Sequence, residues 1–486
     1  MNEAILQLQP SKVWYFFKEI LNIPRPSKKE EKIIDYLLKF GEDHNLETLR
    51  DEVGNVLIRK PATTGMENRK VVVLQSHLDM VCEKNSDKIH DFENDPIDVY
   101  VDGDWVTARG TTLGGDDGIG VAAELAILDS NDIPHGPIEC LFTIDEETGL
   151  TGAFGLKPGF LKADILLNLD SEDEGQLYIG CAGGQDTLAW LAYEKEEAPT
   201  DFQALKIQVS GLKGGHSGDD IERGRGNANK LLNRFLWTYK DSFDMKLGIF
   251  DGGNLRNAIA REAFAIVLVP KEKTTQLIAE AKGFEEMFQN EFHATEADLQ
   301  FRAEITEFPD SVIRDKDFSR LVNALYACPH GVIAMSQDIP DFVETSTNLA
   351  SVKFQEKDIL ITTSQRSSVE SEKEDVTNMV ISVFQMAGVR TETSDGYPGW
   401  SPNPDSEIVA LTSLIYQKLF DQQPAVLAIH AGLECGLIGD KYPSMDMISF
   451  GPTIKGAHSP DESLEIASVQ KFWDLLIEVL NTIPEN

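Results

Sequence analysis

Four short apolar runs in this 486-residue chain each lead into a residue type that can bind metal. Val71–Leu74 continues through Gln75 into Ser76-His77-Leu78-Asp79. Ile138–Ile144 ends at Asp145-Glu146-Glu147, Ile165–Leu169 at Asp170, and Met447–Phe450 at Gly451-Pro452 with His458 shortly after. The runs are continuous rather than alternating, as expected for strands buried on both faces of an α/β sheet. Between the first two lies a Gly-rich turn, GTTLGGDDGIG, which carries Asp116 and Asp117 into Val121–Leu128, an Ala- and Leu-rich stretch that reads as helix. Open α/β sheets form their sites beyond the carboxyl ends of strands. The pattern therefore predicts an α/β domain with acids and histidines gathered along one sheet edge.

The rest of the chain suggests an interruption of that domain. Ser27-Lys28-Lys29-Glu30 reads as a capping box opening a helix through about Phe40. The polar stretch EKEEAP near Glu194–Pro199 reads as a linker. Beyond it, Leu205–Val209, Ala263–Val269 and Ile359–Thr363 are strand candidates, and Asn227–Trp237 and Lys273–Phe288 are helix candidates. After the turn-rich SDGYPGWSPNPDS the α/β texture returns, with helices over Glu407–Leu419 and Ser468–Leu480 and strands over Ala425–Ile429 and Met447–Phe450. The predicted organisation is an α/β domain from residues 1–195 and 395–486, split by an inserted α+β domain over 196–394. Each part is within ordinary domain size.

Composition excludes several function classes. With 44 Lys+Arg against 81 Asp+Glu the formal net charge is −37, which argues against a nucleic-acid or anionic-membrane partner. No stretch approaches the ~18 apolar residues of a membrane span, and the N-terminus lacks the pattern of a signal peptide. The five cysteines are odd in number and unclustered, with no CxxC pair. That usage fits a reducing cytoplasm and disfavours a thiolate zinc site.

The residue types at the strand ends suit one chemistry. Residues two apart on an extended segment face the same way, so His77 and Asp79 project together. Two histidines with several carboxylates match zinc, manganese or cobalt better than calcium, which prefers oxygen alone. One carboxylate bridging two metals, with a histidine and an acid on each, gives a centre that activates water and polarises a carbonyl. Glu146 beside Glu147 offers one general base and one ligand. Each motif alone is common in an acidic chain; their joint placement carries the reading.

The segments HLDM, GTTLGGDDGIG, DEETG, NLDSEDEG, KGGHSG and GAHSPDE occur in an order that resembles the aminoacyl-histidine (Xaa-His) dipeptidases, within the clan of co-catalytic di-zinc aminopeptidases and aminoacylases. IRKPATTGMENRK and IHAGLECG look like the same family. The resemblance implies a phosphorylase/hydrolase-like catalytic domain with a mixed central sheet and an inserted lid. It implies two zinc ions per chain, with cobalt or manganese as alternatives. Asp116 would bridge them; His77 and Asp170 would complete one set of ligands, Glu147 and His458 the other. Glu146 would be the base, and Asp79 would fix the tautomer of His77. The peptide after Asp116 would be cis. His216 would reach from the lid to stabilise the oxyanion, Arg366 would bind the substrate carboxylate, and Asn257 would donate a hydrogen bond near the same oxygen. Dipeptides would enter between the domains, with lid closure excluding water. A homodimer through the lid is an assembly the resemblance allows, although this lid is long enough to hold two similar halves. Two other readings stay open: an N-acyl amino acid amidohydrolase on the same site, and a non-catalytic acidic metal-binding protein.

Overall fold

Val72–His77, Ile138–Thr143 and Ile165–Asn168 are fully buried strands at the middle of an eight-stranded sheet. The structure, a computed structural model, describes residues 3–486. Val72–His77 runs parallel to both Ile138–Thr143 and Ile165–Asn168, and Asp446–Ser449 runs parallel to Ile165–Asn168. Their register places His77 opposite Thr143 and Gln75 opposite Asn168, with Ser449 opposite Asn168 on the far side. Parallel strands in register end together, so the residues that follow them emerge along one edge. Glu47–Arg50 and Val56–Lys60 add antiparallel strands at one flank, and the mixed sheet is completed by Gln176–Cys181 and Ala425–Ile429.

A polar chain runs through this apolar sheet. Asn168 donates to Gln75 at 2.6 Å, Ser449 donates to Asn168 at 2.5 Å, and the Ser449 and Ser171 hydroxyls lie 2.6 Å apart. Gln75 donates in turn to Glu434, which also accepts from Thr143, both at 2.6 Å. These groups are buried, and their mutual hydrogen bonds offset much of the cost of taking them out of water, although Glu434 Oε1 has no partner.

The contacts divide the chain into two units. The first comprises Met1–Gly180, Pro402–Ala428 and Leu433–Asn486, the second Cys181–Ser401 with Ile429–Gly432. The second unit is built on a nine-stranded antiparallel sheet. Phe202–Ser210 there alternates buried and partly exposed residues, as a sheet covered on one face requires. Helices Ala228–Tyr239, Thr274–Glu291, Asp315–Ala327 and Glu370–Met386 supply Phe235, Phe288, Leu321 and Phe384 to the same core as Leu205 and Val267. The EKEEAP stretch lies inside this unit, where Lys195–Glu197 pairs with Ser311–Ile313.

Two expectations need correction. Ser27 does not cap a helix: its hydroxyl donates to Asp79 at 2.7 Å. Glu30 precedes the Glu31–Asp43 helix and accepts from the Lys28 and Asp145 amides, at 2.9 and 3.0 Å. A buried carboxylate elsewhere was the stronger partner for the serine. The sequence patterns also leave out Gly183–Ala192 and Val343–Phe354, two long strands of the second sheet. Val343–Phe354 buries Thr345, Ser346, Thr347 and Asn348, residues that read as loop when their partners are unknown. Among the described residues, no helix is long and apolar enough to cross a membrane.

Candidate metal centre

Asp116 lies at the start of the Gly115–Asp129 helix, in non-helical geometry, and the Asp116–Asp117 peptide is cis. Its two carboxylate oxygens face different histidines. Oδ1 is 2.9 Å from Nε2 of His77 and Oδ2 is 3.1 Å from Nε2 of His458. The same His77 nitrogen is 3.6 Å from Asp170 Oδ1, and the His458 nitrogen is 3.0 Å from Glu147 Oε2. Two triads result, His77–Asp116–Asp170 and Asp116–Glu147–His458, each with its ligand atoms within 4.8 Å of one another. All five residues belong to the first unit. Asp117, by contrast, turns into the protein, where its carboxylate accepts from the His77 and Gly120 amides.

Asp79 organises the surroundings without joining either triad. It is fully buried; Oδ1 lies 3.4 Å from His77 Nδ1 and accepts from the Glu146 amide at 2.9 Å, while Oδ2 accepts from the Glu147 amide at 3.2 Å. One carboxylate thus lies against a histidine and fixes the turn that carries two acids. That turn starts at Asp145, whose left-handed backbone (φ 48°) is held by hydrogen bonds from Thr148 and Thr151 to its side chain.

Burial and crowded like charges raise the proton affinity of several acids in this cluster. Burial, with the charge of nearby Asp116 and Glu147 and against the pull of His77, pushes Asp170 up to about 7. Burial also raises Glu146 well above the carboxylate range, with Asp170, Glu147 and Glu434 adding to the shift and His77 opposing it. Glu147 Oε1 is buried with no hydrogen-bond partner. Crowded carboxylates, imidazole nitrogens and an unpartnered oxygen are what a divalent ion resolves. The nitrogen and oxygen donors fit zinc, cobalt or manganese.

The remaining candidates lie in the second unit. His216 is partly exposed; Nδ1 accepts weakly from the Gly218 and Asp219 amides at 3.3 Å and stands 3.2 Å from the Asp219 carboxylate. Arg366 is 7% exposed, donates from Nη1 to the Tyr397 hydroxyl at 3.1 Å, and leaves Nε buried without a partner. Asn257 is exposed, and its backbone carbonyl accepts from the Ser217 amide at 2.8 Å.

Several residues at the centre escaped the sequence reading. Glu172 is pushed up to about 8 by burial and by Asp116 and Asp170; its spacing of two from Asp170 is the signal that paired His77 with Asp79. Glu434, from IHAGLECG, is fully buried, and burial pushes it up to about 7. Arg25 and Glu462 lie within quoted or neighbouring strings, but nothing in the sequence marks their partners.

Comparison with known proteins finds peptidases. The profile of "Peptidase family M20/M25/M40" matches residues 73–482. The cytosol non-specific dipeptidase of Escherichia coli (strain K12) is 46% identical over 478 residues, 98% of this chain and 99% of that protein. The crystal structure of aminoacylhistidine dipeptidase from Vibrio alginolyticus superposes with a TM-score of 0.92 at 47% identity, covering 100% of both chains. The aminopeptidase PepT of Bacillus cereus, at 15% identity and a TM-score of 0.57 over 98% of this chain and 99% of that one, shares the fold.

Proposed function

The chain belongs to peptidase family M20/M25/M40, and on that premise we propose that it is a metal-dependent dipeptidase. It cleaves the peptide bond of dipeptides with a free N-terminus, Xaa-His dipeptides among them. The observation that carries the reading is Asp116, with one oxygen toward His77 and the other toward His458. That arrangement supports two metal positions, for which zinc is proposed, with cobalt or manganese as alternatives. His77, Asp116 and Asp170 would hold one ion, and Asp116, Glu147 and His458 the other. A bound pair would polarise the scissile carbonyl and acidify the attacking water.

The protein's own groups then have separate tasks. Glu146 takes the proton of the attacking water at its carboxylate and returns it to the leaving amine nitrogen. Its raised proton affinity suits a group that must hold that proton between the two events. Asp79 keeps the His77 ring in one orientation. His216 donates to the oxyanion. Arg366, a buried guanidinium with a donor to spare, holds the substrate carboxylate, and Asn257 donates nearby. The E. coli relative's name and the absence of disulfides among the five cysteines support a cytosolic setting. A homodimer is the proposed assembly.

The test is a panel of dipeptides and N-acyl amino acids, assayed with zinc, cobalt and manganese in turn. Hydrolysis of Xaa-His dipeptides with little turnover of N-acyl amino acids supports the dipeptidase. The reverse preference makes it an amidohydrolase, and no hydrolysis with any metal leaves a binding protein.

A further inference from the structure

Two buried charges of opposite sign grip the turn that leads to Asp116. Glu462 is 2% exposed and Arg25 is 1% exposed. Glu462 Oε2 accepts from the amides of Leu113 and Gly114 at 2.7 and 3.0 Å, and Oε1 from those of Gly115 and Asp116 at 2.7 and 3.4 Å. On the other side Arg25 Nη2 donates to the Gly114 carbonyl at 2.5 Å, while Nη1 donates to the carbonyls of Leu78 and Asp79 at 2.9 and 2.6 Å. The Gly114–Gly115 peptide unit is therefore held on one side by its N–H, donated from Gly115 to Glu462, and on the other by its C=O, which accepts from Arg25. Arg25 also fastens the segment after His77, and Glu462 belongs to the loop that carries His458.

The local sequence is built around these contacts. Gly114 has φ +71°, and a methyl there would stand 2.6 Å from Arg25 Nη2; one at Gly118 would stand 2.5 Å from the same atom. Neither charge has an ion-pair partner among the described residues. Each is hydrogen-bonded to backbone dipoles, which confer a fixed direction, while the nearby charges of Asp79, Glu462, Asp117 and Asp116 offset the cost of burying Arg25.

We propose that Arg25 and Glu462 are positioning residues which, by gripping the Gly114 peptide from opposite sides, set the spacing between the His77, Asp116 and His458 ligands. This rests on the metal-centre reading above. Both residues are buried and bond to backbone, so the effect should appear in metal affinity before catalysis.

The test uses the full-length protein stripped of metal, with Arg25→Lys and Glu462→Asp, which keep the charge but shorten the reach or remove the fork. Zinc binding is titrated calorimetrically, and the melting temperature of each metal-free protein is recorded. The expected result is a loss of about 10- to 100-fold in zinc affinity in each variant, the range found for groups that orient metal ligands. The metal-free proteins should keep their cooperative melting. The double variant should lose no more than about threefold beyond the worse single one, because both act through one peptide unit. If Glu462→Asp does not fold, Gly115→Ala replaces it, since its methyl would press within 3.2 Å of Glu462 Oε1 without altering charge. Zinc affinity within about twofold of wild type in both variants, or losses that multiply in the double, overturns the inference alone. A wild-type protein that binds none of zinc, cobalt or manganese overturns the metal-centre reading and this inference with it.

Discussion

Glu124 should make the protein less stable as pH rises, and Glu124→Gln should remove that dependence. The carboxyl is fully buried on the Gly115–Asp129 helix, with one oxygen accepting from Ser76 at 2.7 Å and the other unpartnered. Burial raises it well above its ordinary value of 4.5, partly opposed by the Ser76 hydroxyl and the nearby Cys140 thiol. The Cys140 thiol beside it is also raised, by burial and by Glu124, so neither group welcomes a charge. The folded state therefore binds more protons than the unfolded one above pH 4.5. Stability from this group is fully present below that pH and declines as pH rises toward the folded value. Each pH unit over which the folded carboxyl keeps its proton while the unfolded one has lost it costs about 1.4 kcal/mol. At about 2 °C per kcal/mol for a unit of this size, that is roughly 3 °C per pH unit. Glutamine keeps the shape and the acceptor for Ser76 and carries no charge. The assay is the melting temperature of both proteins from pH 5 to 8. The variant's advantage should grow with pH at up to that rate while the folded carboxyl keeps its proton. A difference that stays flat across the range would mean that the carboxyl titrates alike in both states and would refute the reasoning.

Three other outcomes are expected. Glu146→Gln should bind metal at wild-type stoichiometry, by elemental analysis, while turnover falls by about 10²- to 10⁴-fold, the usual contribution of a general base; near-normal turnover removes it from that role. Asp116→Ala should lose metal from both positions, and full occupancy in that variant would show that the residue bridges nothing. His216→Ala should lower turnover with metal retained, and unchanged kinetics would return His216 to an ordinary loop residue.

What the sequence made legible follows from how local each signal was. Runs such as VVVLQSH and IECLFT are buried on both faces, so their composition announces them. The acids and histidines that follow them could be expected to gather because a parallel sheet places strand ends together. Val343–Phe354 was not legible, because its buried Ser, Thr and Asn find partners such as His430 and Gln365 far along the chain. The same holds for Ser27, whose partner Asp79 lies on another element, and for Glu462, whose partners are backbone amides more than three hundred positions earlier. Side chains that pair with distant backbone leave no spacing to recognise.

The first unit is discontinuous in sequence, and this has a consequence for how the protein is made. A ribosome delivers His77, Asp116, Glu147 and Asp170 early, then the whole of the second unit, and only near the end His458 and Glu462. Until those last residues emerge, the crowded acids at the sheet edge lack both the second histidine and the carboxylate that fastens the Asp116 turn. The half-built first unit must therefore wait, with its sheet missing the Asp446–Ser449 strand, while the second unit, encoded almost without interruption, is free to fold first. Completion of the proposed metal centre is in this sense coupled to completion of the chain: a polypeptide cut short before His458 carries the whole of the second unit and still lacks the proposed second histidine ligand.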